Sequence, residues 1–147
     1  MALGACGHHV SKLSDTEAKG RLTAMLQQTA DTLDPGRPHR VTGASQGACS
    51  DFLNRDYAHD FDADVELTFP ADELPTHFFR RVEAYWRSHG YSRVKTLRKG
   101  TDNETPIARK QGFTFGADLF GSVRQPFVQD GRHKVRVDGG TPCVKGT

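Results

Sequence analysis

Hydrophobic positions recur along the chain with two periods, and the strongest run lies in its middle. Between Leu74 and Gly90, the residues Phe78, Phe79, Val82, Tyr85, Trp86 and His89 follow at steps of three and four, tracing one apolar stripe on a helix. Arg80, Arg81, Glu83 and Arg87 fall on the other side. Pro75 suits a first helical position, where no N–H is needed, and Gly90 suits the left-handed residue that closes a helix. The spacing predicts a helix over Pro75–His89. It carries the only tryptophan and two of the nine phenylalanines, so it is the expected core helix.

A second helical stripe, Ala18, Leu22, Met25, Leu26, Thr29 and Leu33, follows the capping box Ser14-Asp15-Thr16-Glu17 and is broken off by Asp34-Pro35-Gly36. A helix is predicted over Asp15–Leu33, with Gly20 costing it about 1 kcal/mol relative to alanine. Its stripe is the narrower of the two, which places it across a sheet rather than in mid-core.

Elsewhere the period is two. Phe61, Ala63, Val65, Leu67 and Phe69 share one face of a strand, and Asp60, Asp62, Asp64, Glu66 and Thr68 share the other. One wet face implies an antiparallel sheet. Tyr91–Arg98 reads as a basic strand of ambiguous register, with Val94 or else Tyr91 and Leu97 inward. Ile107–Leu119 holds the alternation Phe113, Phe115, Ala117, Leu119. Ser122–Val128 and His133–Asp138 flank Asp130-Gly131, a strong hairpin signal, with Val135 and Val137 inward and Pro126 implying an edge or a bulge. The stretch Asp34–Asp60, rich in Pro, Gly, Ser and Asp, is expected to be loop with a short strand at His39–Thr42. The sum is an α+β fold: a two-layer sandwich with an antiparallel sheet of four to five strands and two helices on one face. Residues 14–147 form this single domain, and residues 1–13 a tether.

At 147 residues one core suffices. No stretch approaches the roughly 20 apolar residues of a spanning helix. A net charge of +2 is too small to point to nucleic acid. Its distribution says more. Asp51–Glu73 carries eight acids against one base, and Arg80–Lys110 nine bases against three acids. The plain expectation is two solvated faces that attract each other within the fold. The sharper one is a basic face that meets an anionic surface or partner through Arg87, Arg93, Lys95, Arg98 and Lys99.

Catalytic signals are thin. Gly43-Ala44-Ser45-Gln46-Gly47 matches the nucleophile-elbow pattern, but that motif needs a strand feeding a sharp turn into a helix, and this chain lacks the doubly wound sheet behind it. The acids Asp60 to Glu66 mimic the start of a calcium loop, yet Val65 stands where its glycine belongs and Ala71 where its bidentate glutamate belongs. One strand face also cannot set paired carboxylates on either side of a sugar. His39, His59, His77, His89 and His133 are dispersed, with no metal-ligand spacing, and His8-His9 lies near a terminus. There is no phosphate loop, no C-x-x-C and no internal repeat. No catalytic residue, metal site or cofactor is expected.

The three cysteines are unequal. Leu3-Gly4-Ala5-Cys6 resembles a bacterial lipobox, in which the cysteine becomes the lipidated N-terminus; only Met1 and Ala2 precede it here, where such a signal has a charged and then an apolar region. Cys49 and Cys143 lie in loops, where reduced thiols would be exposed and reactive. A disulfide between them would close most of the domain and contribute about 4–5 kcal/mol in the chain-entropy model. The odd Cys6 is then accounted for by lipid, and the chain is expected outside the cytoplasm. Together with the capped helix, Trp86-x-x-x-Gly90-Tyr91 and Thr141-Pro142-Cys143, this layout resembles small cell-envelope lipoproteins of high-GC Gram-positive bacteria and their phages. The resemblance implies a lipid anchor through Cys6 and a disulfide, and no activity. The functional expectation is a non-catalytic, envelope-anchored binding module that touches the membrane surface through lipid and a protein or anionic partner through the sheet. The alternatives are a small hydrolase using Ser45 or the Asp60–Glu66 acids, and a phage-encoded protein that excludes other phages.

Overall fold

The computed structural model describes residues 11–49 and 58–145. Strict alternation of apolar and acidic residues makes its longest strand. In β2 (Ala58–Pro70), Phe61, Val65, Leu67 and Phe69 are at most 1% exposed, and the acids between them face outward. Antiparallel pairing then builds outward from β2. On one side lies β1 (Thr42–Ala48). On the other lie, in order, β7 (Arg132–Gly140), β5 (Phe113–Leu119), β4 (Thr105–Lys110) and β3 (Ser92–Leu97). Two short strands prolong existing lanes: β6 (Val128–Gln129) pairs with β7, and β8 (Val144–Lys145) pairs with β2.

Among the described residues the sheet therefore has eight strands rather than the four to five expected. Three causes account for the difference. The Gly-Ala-Ser-Gln-Gly stretch, expected as loop, pairs with β2 as β1, with a bulge between Thr42 and Ser45. The Ile107–Leu119 run is cut into β4 and β5 by a two-residue turn, Gln111-Gly112, with φ of 53° and 86°. The two-residue strands carry too little sequence to show any period.

Both helices cover one face. α1 (Asp15–Leu33) begins at the capping box as expected: Ser14 Oγ accepts from Glu17 N and Glu17 Oε1 accepts from Ser14 N, each at 3.1 Å. It packs against β2 and β7 in the middle of the sheet, with Leu22, Leu26 and Ala30 buried in the main core, and so lies deeper than its narrow stripe suggested. The reason is Gly139 on β7, where a Cβ would come within 2.9 Å of Leu22 Cδ1 and of the Phe115 ring. α2 (Pro75–Ser88) covers β3 and β4, burying Phe78, Phe79, Val82 and Trp86. His89 ends the stripe outside the core, stacked on Tyr85 at 4.1 Å. Gly90, at φ 83°, then turns the chain, and Tyr91 N bonds back to Trp86 O at 2.9 Å.

At the end of the sheet where β2 begins, several chain segments meet. Cys49 follows β1 and forms a disulfide with Cys143, between β7 and β8 (Cα–Cα 6.1 Å). Thr141 exchanges two hydrogen bonds with Phe61, at 2.9 and 3.0 Å. Ser11 N donates to Cys143 O at 2.7 Å and bridges Val144, while Leu13 packs against Ala18, Phe61 and Val144. Ser11 and Leu13, in the stretch expected as tether, are thus part of the packed fold. Cys6 and its lipobox-like neighbours lie outside the described residues.

The disulfide spans 94 residues, which corresponds to about 4–5 kcal/mol of chain entropy removed from the unfolded state. Domains of this size have about 5–15 kcal/mol in all. Urea unfolding of the oxidised chain and of the Cys49→Ser/Cys143→Ser double variant is expected to differ by roughly 3–5 kcal/mol; equal midpoints would show that the bond constrains nothing.

Candidate functional site

With both helices on one side, no helix among the described residues covers the outward face of the sheet, and register decides what meets there. Asp62 stands beside Gly140 and then Thr114; Asp64 beside Asp138 and then Gly116; Glu66 beside Arg136 and then Asp118. Lys95 stands beside Ile107, and Ser92 beside Arg109. The acid-rich strand β2 and the base-rich strand β3 are separated by β7, β5 and β4. Four strand spacings put these two strands about 19 Å apart; the expected attraction of the two segments is made instead beside α2, where Arg81 donates to both carboxylate oxygens of Glu73 at 2.8 and 2.9 Å. The face is electrically polar instead. At its acidic end Glu66 has Lys134 at 3.6 Å, and Asp64 accepts from Thr42 Oγ1 at 3.1 Å. Among the described residues Asp60, Asp62, Asp118 and Asp138 have no cation within 4 Å. Partial burial, with Asp118 and Asp64 nearby, pushes the Asp138 carboxyl above the ordinary range; burial and Asp60 do the same to Asp62.

The basic end is shaped by a bulge. Between the pairs Ser92–Arg109 and Lys95–Ile107, two residues of β3 oppose Ala108 alone, and Arg93 adopts φ 52° to take up the slack. The irregularity opens a depression of about 470 Å³ lined by Val94, Ile107, Ala108 and Phe115 and rimmed by Arg93, Lys95 and Arg109. Of the five cations singled out in the sequence, the depression gathers Arg93 and Lys95. Arg87 lies on α2, donating to Val94 O at 3.3 Å and standing 3.9 Å from Glu83. Arg98 donates to Asn103 O at 3.2 Å, and Lys99 sits in the following turn. Arg109 was not among the five, because only the β3–β4 register brings it to Arg93.

A second depression, about 540 Å³, lies at the other edge between the Arg37–Arg40 segment and the outward residues Thr42, Asp64, Glu66 and Lys134. Its wall is a buried polar network centred on Asp34, the C-cap of α1. The Asp34 carboxylate is 3% exposed. It accepts from Thr68 N at 2.9 Å, Thr68 Oγ1 at 3.1 Å and Arg132 at 3.3 Å. His39, whose ring is 2% exposed, spans two carboxylates: Nδ1 is 2.9 Å from Asp31 and Nε2 is 3.0 Å from Asp34. Burial opposes charge on this ring, but the hydrogen bonds and charges of Asp34 and Asp31 outweigh it and hold the imidazole above its ordinary value. In turn His39, joined by Gln27, holds the Asp31 carboxyl low.

The other sequence candidates separate. Ser45 is an exposed residue within β1 opposite Asp62, so its motif forms a strand rather than a turn into a helix, and no histidine bonds to it among the described residues. The histidines are engaged elsewhere: His59 with Asp15 at 2.9 Å, His77 with Glu73 at 2.7 Å, and His133 between the carbonyls of Phe127 and Ala71. No cluster of three metal-ligating side chains occurs among the described residues. No helix among them is long and apolar enough to cross a membrane.

No protein-family model matches this chain, and no curated protein does. Among solved structures the chain is similar to one described as the "putative lipoprotein LppA" from Mycobacterium tuberculosis, at 19% identity and a TM-score of 0.56, over 91% of this chain and 79% of that one. What the two share is the fold.

The His39 network makes stability depend on pH. The folded pKa lies above the unfolded value of about 6.5, so the contribution of His39 is complete below that value and is lost as pH rises through the folded pKa. The difference in unfolding free energy between wild type and His39→Gln is expected to be largest in mild acid and to shrink toward alkaline pH. A difference that grows with pH would contradict the charged, doubly bonded ring.

Proposed function

We propose that this chain is a non-catalytic, envelope-anchored interaction module, held to a membrane by lipid on Cys6 and offering the uncovered sheet face to a protein or anionic partner. The observation that carries this reading is the Cys49–Cys143 disulfide. A disulfide suits an oxidising compartment, and it leaves Cys6, in its lipobox-like setting, as the cysteine outside that bond. The shared fold with a protein described as a lipoprotein agrees with it.

The geometry suits an anchor at that end. From Cys6 to Ser11 the chain spans at most about 18 Å, so an acyl group on Cys6 would keep the Cys143 end of the sheet close to the bilayer. β2 runs about 40 Å away from it, and the uncovered face would stand accessible along that length. A hydrolase on Ser45 has no comparable support, since that residue lies within a strand and no base bonds to it among the described residues.

In fractionated cells of the native host, the wild-type chain is expected in the membrane fraction and to be released by detergent, while Cys6→Ser is expected in the soluble fraction with unchanged thermal stability. Equal partitioning of the two would remove the anchor.

A further inference from the structure

We propose that the depression at the bulged edge of the sheet, between β3 and β5, binds a small organic anion: a carboxylate or phosphate on an apolar body, its charge held by Arg93, Lys95 and Arg109. The proposal rests on the reading of this face as a contact surface and not on the anchor at Cys6.

Three independent features of the depression point the same way. At about 470 Å³ it falls within the range of small-molecule sites. Of its apolar lining, Val94 and Ile107 are partly exposed and offer an apolar body something to displace water from, while Ala108 and Phe115 belong to the buried core that floors it. The three cations at its rim have no carboxylate within 4 Å among the described residues. Lys95 and Ile107 are direct cross-strand partners, which sets an ammonium beside the apolar contact.

The backbone adds a fourth. Arg93 holds φ 52°, a left-handed conformation that glycine takes at no steric cost and that arginine takes at a penalty. The bulge needs the conformation; it does not need the guanidinium. The conformation itself aims the Arg93 side chain from the bulge at the rim of the depression.

Charge along the sheet fixes the orientation. Past Ile107 a neighbouring depression lies over Gly116 beside Asp118 and Asp138, whose carboxylates have Arg136 nearby but no cation within 4 Å among the described residues. An anionic group is repelled from that side and drawn to the β3–β4 rim, leaving the apolar body over Ile107. A nucleic acid fits poorly, because no row of exposed aromatic rings is interleaved with these cations.

Isothermal titration of the oxidised full-length chain with submicellar decyl phosphate tests the site, with inorganic phosphate and decyl maltoside as comparison ligands. Decyl phosphate is expected to bind at least about 10-fold more tightly than either, because only it uses both the cations and the apolar wall. Arg93→Gly relieves the backbone penalty while removing the cation, so it is expected to keep or raise the melting temperature and to weaken binding about 10-fold. Lys95→Gln/Arg109→Gln is expected to weaken binding likewise, and Lys99→Gln, outside the depression, to leave it unchanged. Equal affinity for inorganic phosphate would reduce the site to a cationic patch, and equal affinity for the maltoside to an apolar one. Binding only to phosphatidylcholine vesicles containing phosphatidylglycerol, with none to monomeric decyl phosphate, would make it a membrane-surface contact. Each of these three results overturns the proposal, whereas loss of the membrane anchor in Cys6→Ser leaves it standing.

Discussion

One-sided burial of β2 is the constraint from which the remaining architecture follows. Phe61, Val65, Leu67 and Phe69 can leave water only on one face, and the acids between them can stay hydrated only on the other. A shift of one residue would exchange the two sets, so the pairing of β2 with β7 over Asp62–Pro70 is fixed by burial rather than by any turn. α1 and α2 must then share a side. The opposite face carries no helix among the described residues, and its charges are sorted by strand order into an acidic end and a basic end.

That sorting is the main functional consequence of the topology. Had β3 paired next to β2, the two charge runs would have neutralised each other at the surface. Because the chain passes from β2 through α2 to the far edge, they stand at opposite ends of one sheet. The bulges at the outer strands have a related effect. Edge strands expose unpaired backbone groups, and irregular, charged edges discourage pairing with other sheets. In β3 the same irregularity that blunts the edge also opens the apolar depression beneath Arg93.

Local signals were legible and register was not. Ser14 and Glu17, the Phe61–Phe69 alternation and Asp130-Gly131 each act within a few residues, and each forms what it predicts. Cys49 and Cys143 are legible as a pair because reduced thiols in loops would be exposed and reactive, and the disulfide forms. β1 was missed because Gly, Ala, Ser and Gln show no period of two, and it stays in the sheet through β2 and the adjoining disulfide. Gln111-Gly112 was missed because glutamine is not a usual first residue of such a turn. The His39 network joins Asp34 to Arg132 across 98 positions, and Arg109 reaches Arg93 only through strand pairing. Such groupings come from tertiary contact, which no local pattern encodes.

Three sulfurs decide whether this polar face is displayed outside the cytoplasm. Intact mass of the protein from its native host, without reduction, reports all of them at once. Cleavage before Cys6, added acyl mass on that residue and a two-proton deficit for Cys49 and Cys143 are the predicted result. An unprocessed chain with three free thiols would contradict it.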